Sequence, residues 1–167
     1  MATSNADNMT ITVGPNGEIN YPLQPCFMAL LSSNQANVTG DGTVYTVISN
    51  SVIWDQSLNY NSGTGVFTAP VTGKYAFSCG YTINTIGVAT QCNFNCVTTA
   101  RTYTLIDLQP AIIAVGGVLT ATGSCLADMT AGDTATITIS VTGTTKTVGV
   151  SGQATNPLTW FSGSLVC

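Results

Sequence analysis

Between Lys74 and Ile83 every second residue is bulky or apolar (Tyr75, Phe77, Cys79, Tyr81, Ile83), and the residues between them, Ala76, Ser78, Gly80 and Thr82, are small. A period of two places successive side chains on opposite sides of an extended backbone, so this stretch predicts a strand with one face in a core. The same period returns near residue 134, where Ala135, Ile137, Ile139 and Val141 alternate with Thr134, Thr136, Thr138, Ser140 and Thr142. No window sustains the i, i+3, i+4, i+7 spacing of an amphipathic helix. Turn signals at Gly40-Asp41-Gly42, Asn61-Ser62-Gly63, Ala131-Gly132-Asp133, Thr142-Gly143-Thr144 and Asn156-Pro157 cut the chain into short segments. The pattern predicts an all-β fold, a single jelly-roll sandwich of roughly eight to ten strands over residues 24–167. Residues 1–23 form an extended polar arm ahead of it, turned at Pro15-Asn16-Gly17, with Pro22 and Pro25 fixing its exit. Met9, Ile11, Val13, Ile19 and Tyr21 are the arm's candidate partner-binding residues.

Charge narrows the partners. Only 6% of residues are charged, against 44% hydrophobic, and the net charge is −4, so solubility rests on neutral hydroxyl and amide groups. Lys74, Arg101 and Lys146 are the chain's cations, too few for the several phosphate contacts a nucleic-acid binder uses. No apolar run approaches the length of a membrane helix. The opening MATSNADN lacks the basic and apolar regions of a secretory signal, so the expectation is a protein made and folded in a cytoplasm, its six cysteines remaining thiols.

Two segments break the clean alternation. Cys26 to Leu31 (CFMALL) and much of Ala111 to Leu119 (AIIAVGGVL) are apolar on both faces. A strand apolar on both sides needs a cover on its outer face, supplied either by a second layer of the same sandwich or by another copy of the chain in a symmetric oligomer. Cys26, Met28, Leu30, Ile112, Val115 and Val118 are the candidate interface residues.

The stretch SGTGVFTAPVTGKYAF, residues 62–77, imitates a phosphate-binding loop but has Thr68 where the first glycine belongs, Pro70 inside the cradle and Tyr75 in place of the hydroxyl. It reads instead as two strands and a turn: Thr64-Gly65 turns, Phe67 enters the core, Pro70 ends a strand and Gly73 allows a bend. Taken with Asp55 and Tyr60, the run Phe67, Gly73, Tyr75, Phe77 resembles the signature of the globular head domain of complement component one-q. MTAGDTATITI (129–139) and TWFSGSLV (159–166), with Phe161 and Gly163, resemble two further blocks of that family in the same order. The resemblance covers roughly residues 24–167 and implies a jelly-roll protomer of the complement and tumour-necrosis-factor superfamily, assembled as a homotrimer. Departures are Cys79 in place of an expected aromatic and Ser49 in place of an expected Phe.

Chemistry is sparse. The chain has no histidine, hence no ordinary proton shuttle, and Asp128 and Asp133 flank a turn rather than forming a catalytic pair. Cys92 and Cys96 (CNFNC) lack the second pair of a structural zinc site, and Asp41 and Asp55 are too separated to share calcium. The expectation is a non-enzyme without cofactor or metal. Similar modules in bacteriophage and bacterial chains form trimeric knobs or surface proteins. The reading that follows is a virion protein, a capsid decoration or cement protein binding another protein shell through its trimer base and arms. The alternatives are a receptor-binding knob of a fibre or spike, stacking a host receptor or glycan on Tyr45, Trp54, Tyr60 or Tyr103, and a secreted ligand or lectin-like module, disfavoured by the missing signal and collagen-like stalk.

Overall fold

The period-two segments pair as antiparallel ladders in a computed structural model that describes residues 11–109 and 117–167. In chain order the strands are β1 (Thr12–Val13), β2 (Ile19–Asn20), β3 (Cys26–Leu30), β4 (Ser33–Thr39), β5 (Val44–Thr46), β6 (Ser51–Gln56), β7 (Tyr60–Asn61), β8 (Val66–Thr68), β9 (Gly73–Asn84), β10 (Gln91–Thr98), β11 (Thr102–Leu108), β12 (Val118–Met129), β13 (Thr134–Thr142), β14 (Val148–Gln153) and β15 (Trp160–Leu165). Beyond the β1–β2 pair, ten of these strands have five residues or more, in line with the eight to ten expected; β5, β7 and β8 are short additions.

One sheet runs β11-β10-β13-β8-β7, with β5 also on β13; the other runs β4-β14-β9-β15-β3-β6, with β12 on β9. The long β9 is central to the second sheet, flanked by β14 and β15 on one side and β12 on the other. The turn from β12 to β13 shows how the chain changes sheets: Gly132 takes φ 91°, and Asp133 accepts the Thr130 amide on its side chain while donating its own to the Thr130 carbonyl.

The inward faces are those the alternation marks. Tyr75, Phe77, Cys79, Tyr81 and Ile83 of β9 meet Ala135, Ile137, Ile139 and Val141 of β13 in one buried core. At one end Phe27 stacks on Tyr60 and Phe67, with ring centroids 4.7 and 5.0 Å away, and takes the edge of Phe161 at 5.0 Å. Gly163 is needed by this cluster, because a methyl there would sit 2.6 Å from Phe77 and 2.8 Å from Phe27. Gly163→Ala is therefore expected to cost about 1–3 kcal/mol, read by chemical denaturation.

Several expectations change. Gly73 opens β9 without left-handed backbone, so it is there for space rather than for a bend: a methyl would lie 2.6 Å from both the Cys167 carbonyl and Leu165. The arm is not extended between residues 12 and 20; β1 and β2 fold it into a hairpin about the turn at Gly14–Glu18, where Gly17 takes φ 88°. Residues 1–10, and with them Met9, lie outside the described residues, as do Ile112 and Val115. No helix among the described residues is long and apolar enough to cross a membrane.

Candidate functional site: an outer sheet face and an apolar end

The outer face of the β9 sheet is built from the residues between the core positions, and its register forms rows across five strands. The middle row is Trp54, Met28, Ser162, Ser78 and Ser124. One flanking row holds Gln56, Cys26, Ser164, Ala76 and Leu126; the other holds Ser51, Leu30, Trp160, Gly80 and Thr122. The floor of this face is made of short side chains, with apolar groups on its margins. Ser162 Oγ donates to the Ser78 carbonyl at 3.3 Å, and the Trp160 indole lies over Gly80, whose missing side chain gives it room.

The candidate interface residues divide on this face. Cys26 and Met28 are half-buried and Val118 is exposed, all on the outer side. Leu30, beside its cross-strand partner Trp160, is buried within the subunit itself, so its side chain is withdrawn from the candidate interface. The CFMALL segment is thus covered at one end by the chain's own packing and left uncovered at Met28.

A second feature lies at the end of the sandwich where β9 begins. The loops there are tied together: Ala69 donates to the Asp133 carbonyl, Thr68 to Asn59, Lys74 to Cys167, and Gln24 Nε2 to Leu165. The arm leaves from this end, where Gln56 Nε2 donates to the Tyr21 carbonyl at 2.6 Å. Exposed apolar side chains gather here, namely Tyr21, Leu23, Leu58, Val71 and Val166, together with Ile11, Val13 and Ile19 on the hairpin. Leu58 is 88% exposed and follows Ser57 with both residues in left-handed backbone, at φ 54° and 78°. Asp55 imposes that geometry by accepting the Asn59 and Tyr60 amides at 3.1 and 3.0 Å.

Two of the charged groups at this end form an ion pair. Arg101 bridges Asp128. Contact with Tyr103 and then Asp128 holds the guanidinium above its ordinary value, and Asp128's own backbone amide, then Arg101, holds that carboxyl below its ordinary value. A cleft beside them is lined by Lys74, Asp128, Asp133 and Cys167.

The remaining sequence candidates are dispersed. Cys92 and Cys96 both face the core from β10, and four residues of strand separate them by about 13 Å, too far for one metal. Asp41 caps Thr43 near the opposite end of the sandwich from Asp55. No cluster of three or more His, Cys, Asp or Glu side chains among the described residues is arranged to hold a metal ion. Of the four aromatics considered for stacking a ligand, Tyr60 is a core residue whose hydroxyl donates to the Ser49 carbonyl at 2.9 Å, and burial pushes it up to about 12. Tyr45 and Tyr103 pack half-buried against the core, leaving Trp54 exposed on the sheet face. Ser49, standing where the signature has Phe, is fully buried with its hydroxyl unpartnered.

Two antiparallel sheets about an aromatic core, crossed by connections between sheets, define an all-β jelly roll. The chain belongs to the C1q domain family, whose sequence profile matches residues 26–166. Two solved structures carry the same fold. The globular domain of zebrafish complement 1qA protein is 16% identical at a TM-score of 0.56, over 86% of this chain and 98% of that one. Murine APRIL is 10% identical at a TM-score of 0.55, over 86% and 99%. Among curated proteins no sequence relative matches. The signature residues Tyr60, Phe67, Tyr75, Phe77 and Phe161 that carry the resemblance form the ring cluster of the core, with Gly163 admitting it and Gly73 opening β9.

Proposed function

We propose that this chain is a non-enzymatic homotrimeric virion surface protein, a bacteriophage capsid decoration or cement protein that binds a protein shell through one end of its trimer. Its localisation in this reading is the virion. The observation that carries it is the gathering, at a single end, of the arm hairpin, Leu58 on its strained loop, Val71 and Val166, while other exposed apolar side chains such as Val44 and Val88 stand singly elsewhere. Exposed apolar groups concentrated in this way mark an interaction surface. Trimerisation uses the other feature. The small-residue face of the β9 sheet lets a neighbour approach closely, and its Met28 and Leu126 margins gain from being covered. Three copies about an axis then present three arms to one shell, and linked weak contacts multiply in avidity.

Deleting residues 1–22 separates the two halves of the reading. The truncated protein is expected to remain a trimer while its co-sedimentation with empty shells of the encoding virus weakens by about tenfold or more. Unchanged attachment would remove the arm from the mechanism. The second reading, a receptor-binding knob, rests on half-exposed Trp54 and predicts instead that isolated trimer binds host cells and that Trp54→Ala abolishes it.

A further inference from the structure

The six thiols are free and unequally placed: Cys79, Cys92 and Cys96 are buried, Cys26 and Cys125 partly so, and Cys167 is exposed. Three of them point into one region of the core from three strands. On β12, Gly123 lies opposite Cys79 and Cys125 opposite Phe77, so Cys125 is the diagonal neighbour of Cys79 on the core side of the sheet. Cys79 Sγ is 3.6 Å from the Gly123 carbonyl. On the facing sheet Cys96 sits between Tyr103 of β11 and Ile137 of β13. Tyr81 crosses the interior beside it, stacking on Phe94 at 4.3 Å, with its hydroxyl 3.5 Å from the Asn95 carbonyl.

Sheets in a sandwich ordinarily lie about 10 Å apart, beyond the reach of a disulfide, which needs Cα atoms within about 7 Å. At this edge the sandwich pinches. The backbones of β10 and β12 come within 8 Å of each other, and a methyl at Gly123 would be 2.7 Å from Leu105 Cβ on β11. Glycine at 123 is what admits the close approach.

We infer that Cys96 and Cys125 are a dithiol site that closes into an inter-sheet disulfide when the protein meets a small-molecule disulfide such as glutathione disulfide. The pairing follows from position. Cys79 and Cys125 are diagonal on neighbouring strands, a relation with Cα atoms about 7–8 Å apart that does not match disulfide geometry. Cys92 is four residues up β10. Leu105 of β11 lies against Gly123 and the Tyr103 hydroxyl reaches Asp128, so Cys125, between those two positions of β12, comes level with Tyr103, whose cross-strand partner is Cys96. Contact with Cys125, then burial, pushes the Cys96 thiol up, while contact with Cys96 holds Cys125 down.

The steps balance as two thiol–disulfide exchanges. Cys125, the member of the pair reached by solvent, attacks one sulfur of glutathione disulfide as the thiolate, forming a mixed disulfide and expelling one glutathione thiolate. The Cys96 sulfur then attacks Cys125 Sγ, its proton passing to solvent, and expels the second glutathione. Two protein thiols are oxidised and one glutathione disulfide is reduced to two thiols. The bridge ties β10 to β12 and closes a loop of 29 residues (125 − 96), constraining the unfolded chain.

The test uses the full chain carrying Cys167→Ser, which removes the exposed thiol and leaves five. After incubation with glutathione disulfide near pH 8, the expected product is about 2 Da lighter, because two hydrogens are lost on forming one disulfide. It shows three thiols in denaturant instead of five, and a digest peptide joins the strands holding Cys96 and Cys125. Its melting midpoint rises by about 5–10 °C and returns when dithiothreitol is added. Adding Cys125→Ser abolishes the loss of about 2 Da, and Cys96→Ala stops the reaction at a mixed disulfide on Cys125. Five thiols remaining after oxidation, a stable mixed disulfide on Cys125 with Cys96 present, or a bridge that uses Cys79 would each overturn the assignment.

Discussion

Phe27→Ala will lower the stability of the domain by about 3–5 kcal/mol, enough to remove a large part of the margin that holds a domain of this size folded. Phe27 is 1% exposed and joins both sheets: it stacks on Tyr60 and Phe67 at interplanar angles of 9° and 15°, and meets Phe161 edge-on at 78°. Truncation leaves a cavity bounded by three rings that are themselves fixed by neighbours, Phe67 against Tyr75 and Phe77, and Phe161 against Phe77. Such a wall relaxes little, which places the cost toward the upper end for a large-to-small change. Phe27→Leu, which refills most of the volume, is expected to recover more than half of the loss. Urea denaturation followed by tryptophan fluorescence and circular dichroism at one fixed protein concentration measures both, since midpoints of an oligomer depend on concentration. A loss under about 1 kcal/mol for the alanine variant would mean that the ring cluster is not what joins the sheets.

Ser162→Arg acts on assembly and leaves the subunit intact. Ser162 lies in the middle row of the outer sheet face, between Met28 and Ser78, where a neighbour would have to come close. A guanidinium placed there is solvated in a free subunit but would be buried without a partner charge in a trimer, at a cost of several kcal/mol per ion and three times over. The expected result is a monomer of 17.2 kDa with an unchanged far-ultraviolet spectrum. Thr104→Arg, exposed on the outer face of the opposite sheet, is the matched control and keeps the trimer. A trimer that survives Ser162→Arg would place the interface elsewhere.

How much of this was legible beforehand depends on the range of the interaction involved. The strand over residues 75–83 and the inward set 135–141 follow from alternation alone, because the pleat ties parity to face. The signature spacing from Asp55 to Phe77 was readable for a local reason as well: Asp55 caps the amides of Asn59 and Tyr60, which aims Tyr60 at the core. Sheet-to-sheet and loop-to-loop contacts were not readable. Leu30 and Met28 have the same parity, and which of them is covered depends on Trp160, 130 residues further along. Tyr60 could pass for an exposed aromatic until its hydroxyl is seen bonded to Ser49. The hairpin in the arm was half visible, since Pro15-Asn16-Gly17 marked the turn but nothing local reported that Thr12–Val13 would pair with Ile19–Asn20. The apolar end is also nonlocal: Leu58, Val71 and Val166 are far apart in sequence and meet only because β6, β8 and β15 finish at the same end. In the sequence Cys96 stands out only beside Cys92, and its approach to Cys125 arises only where the sandwich pinches.

Assembly depends on one physical claim, that the short-side-chain face of the β9 sheet is covered by other copies of the chain. Sedimentation velocity of the wild-type protein at micromolar concentration tests it most directly. The predicted result is a single species of about 52 kDa, three times the 17.2 kDa subunit. A 17.2 kDa species under those conditions, with the face left open to water, would contradict it.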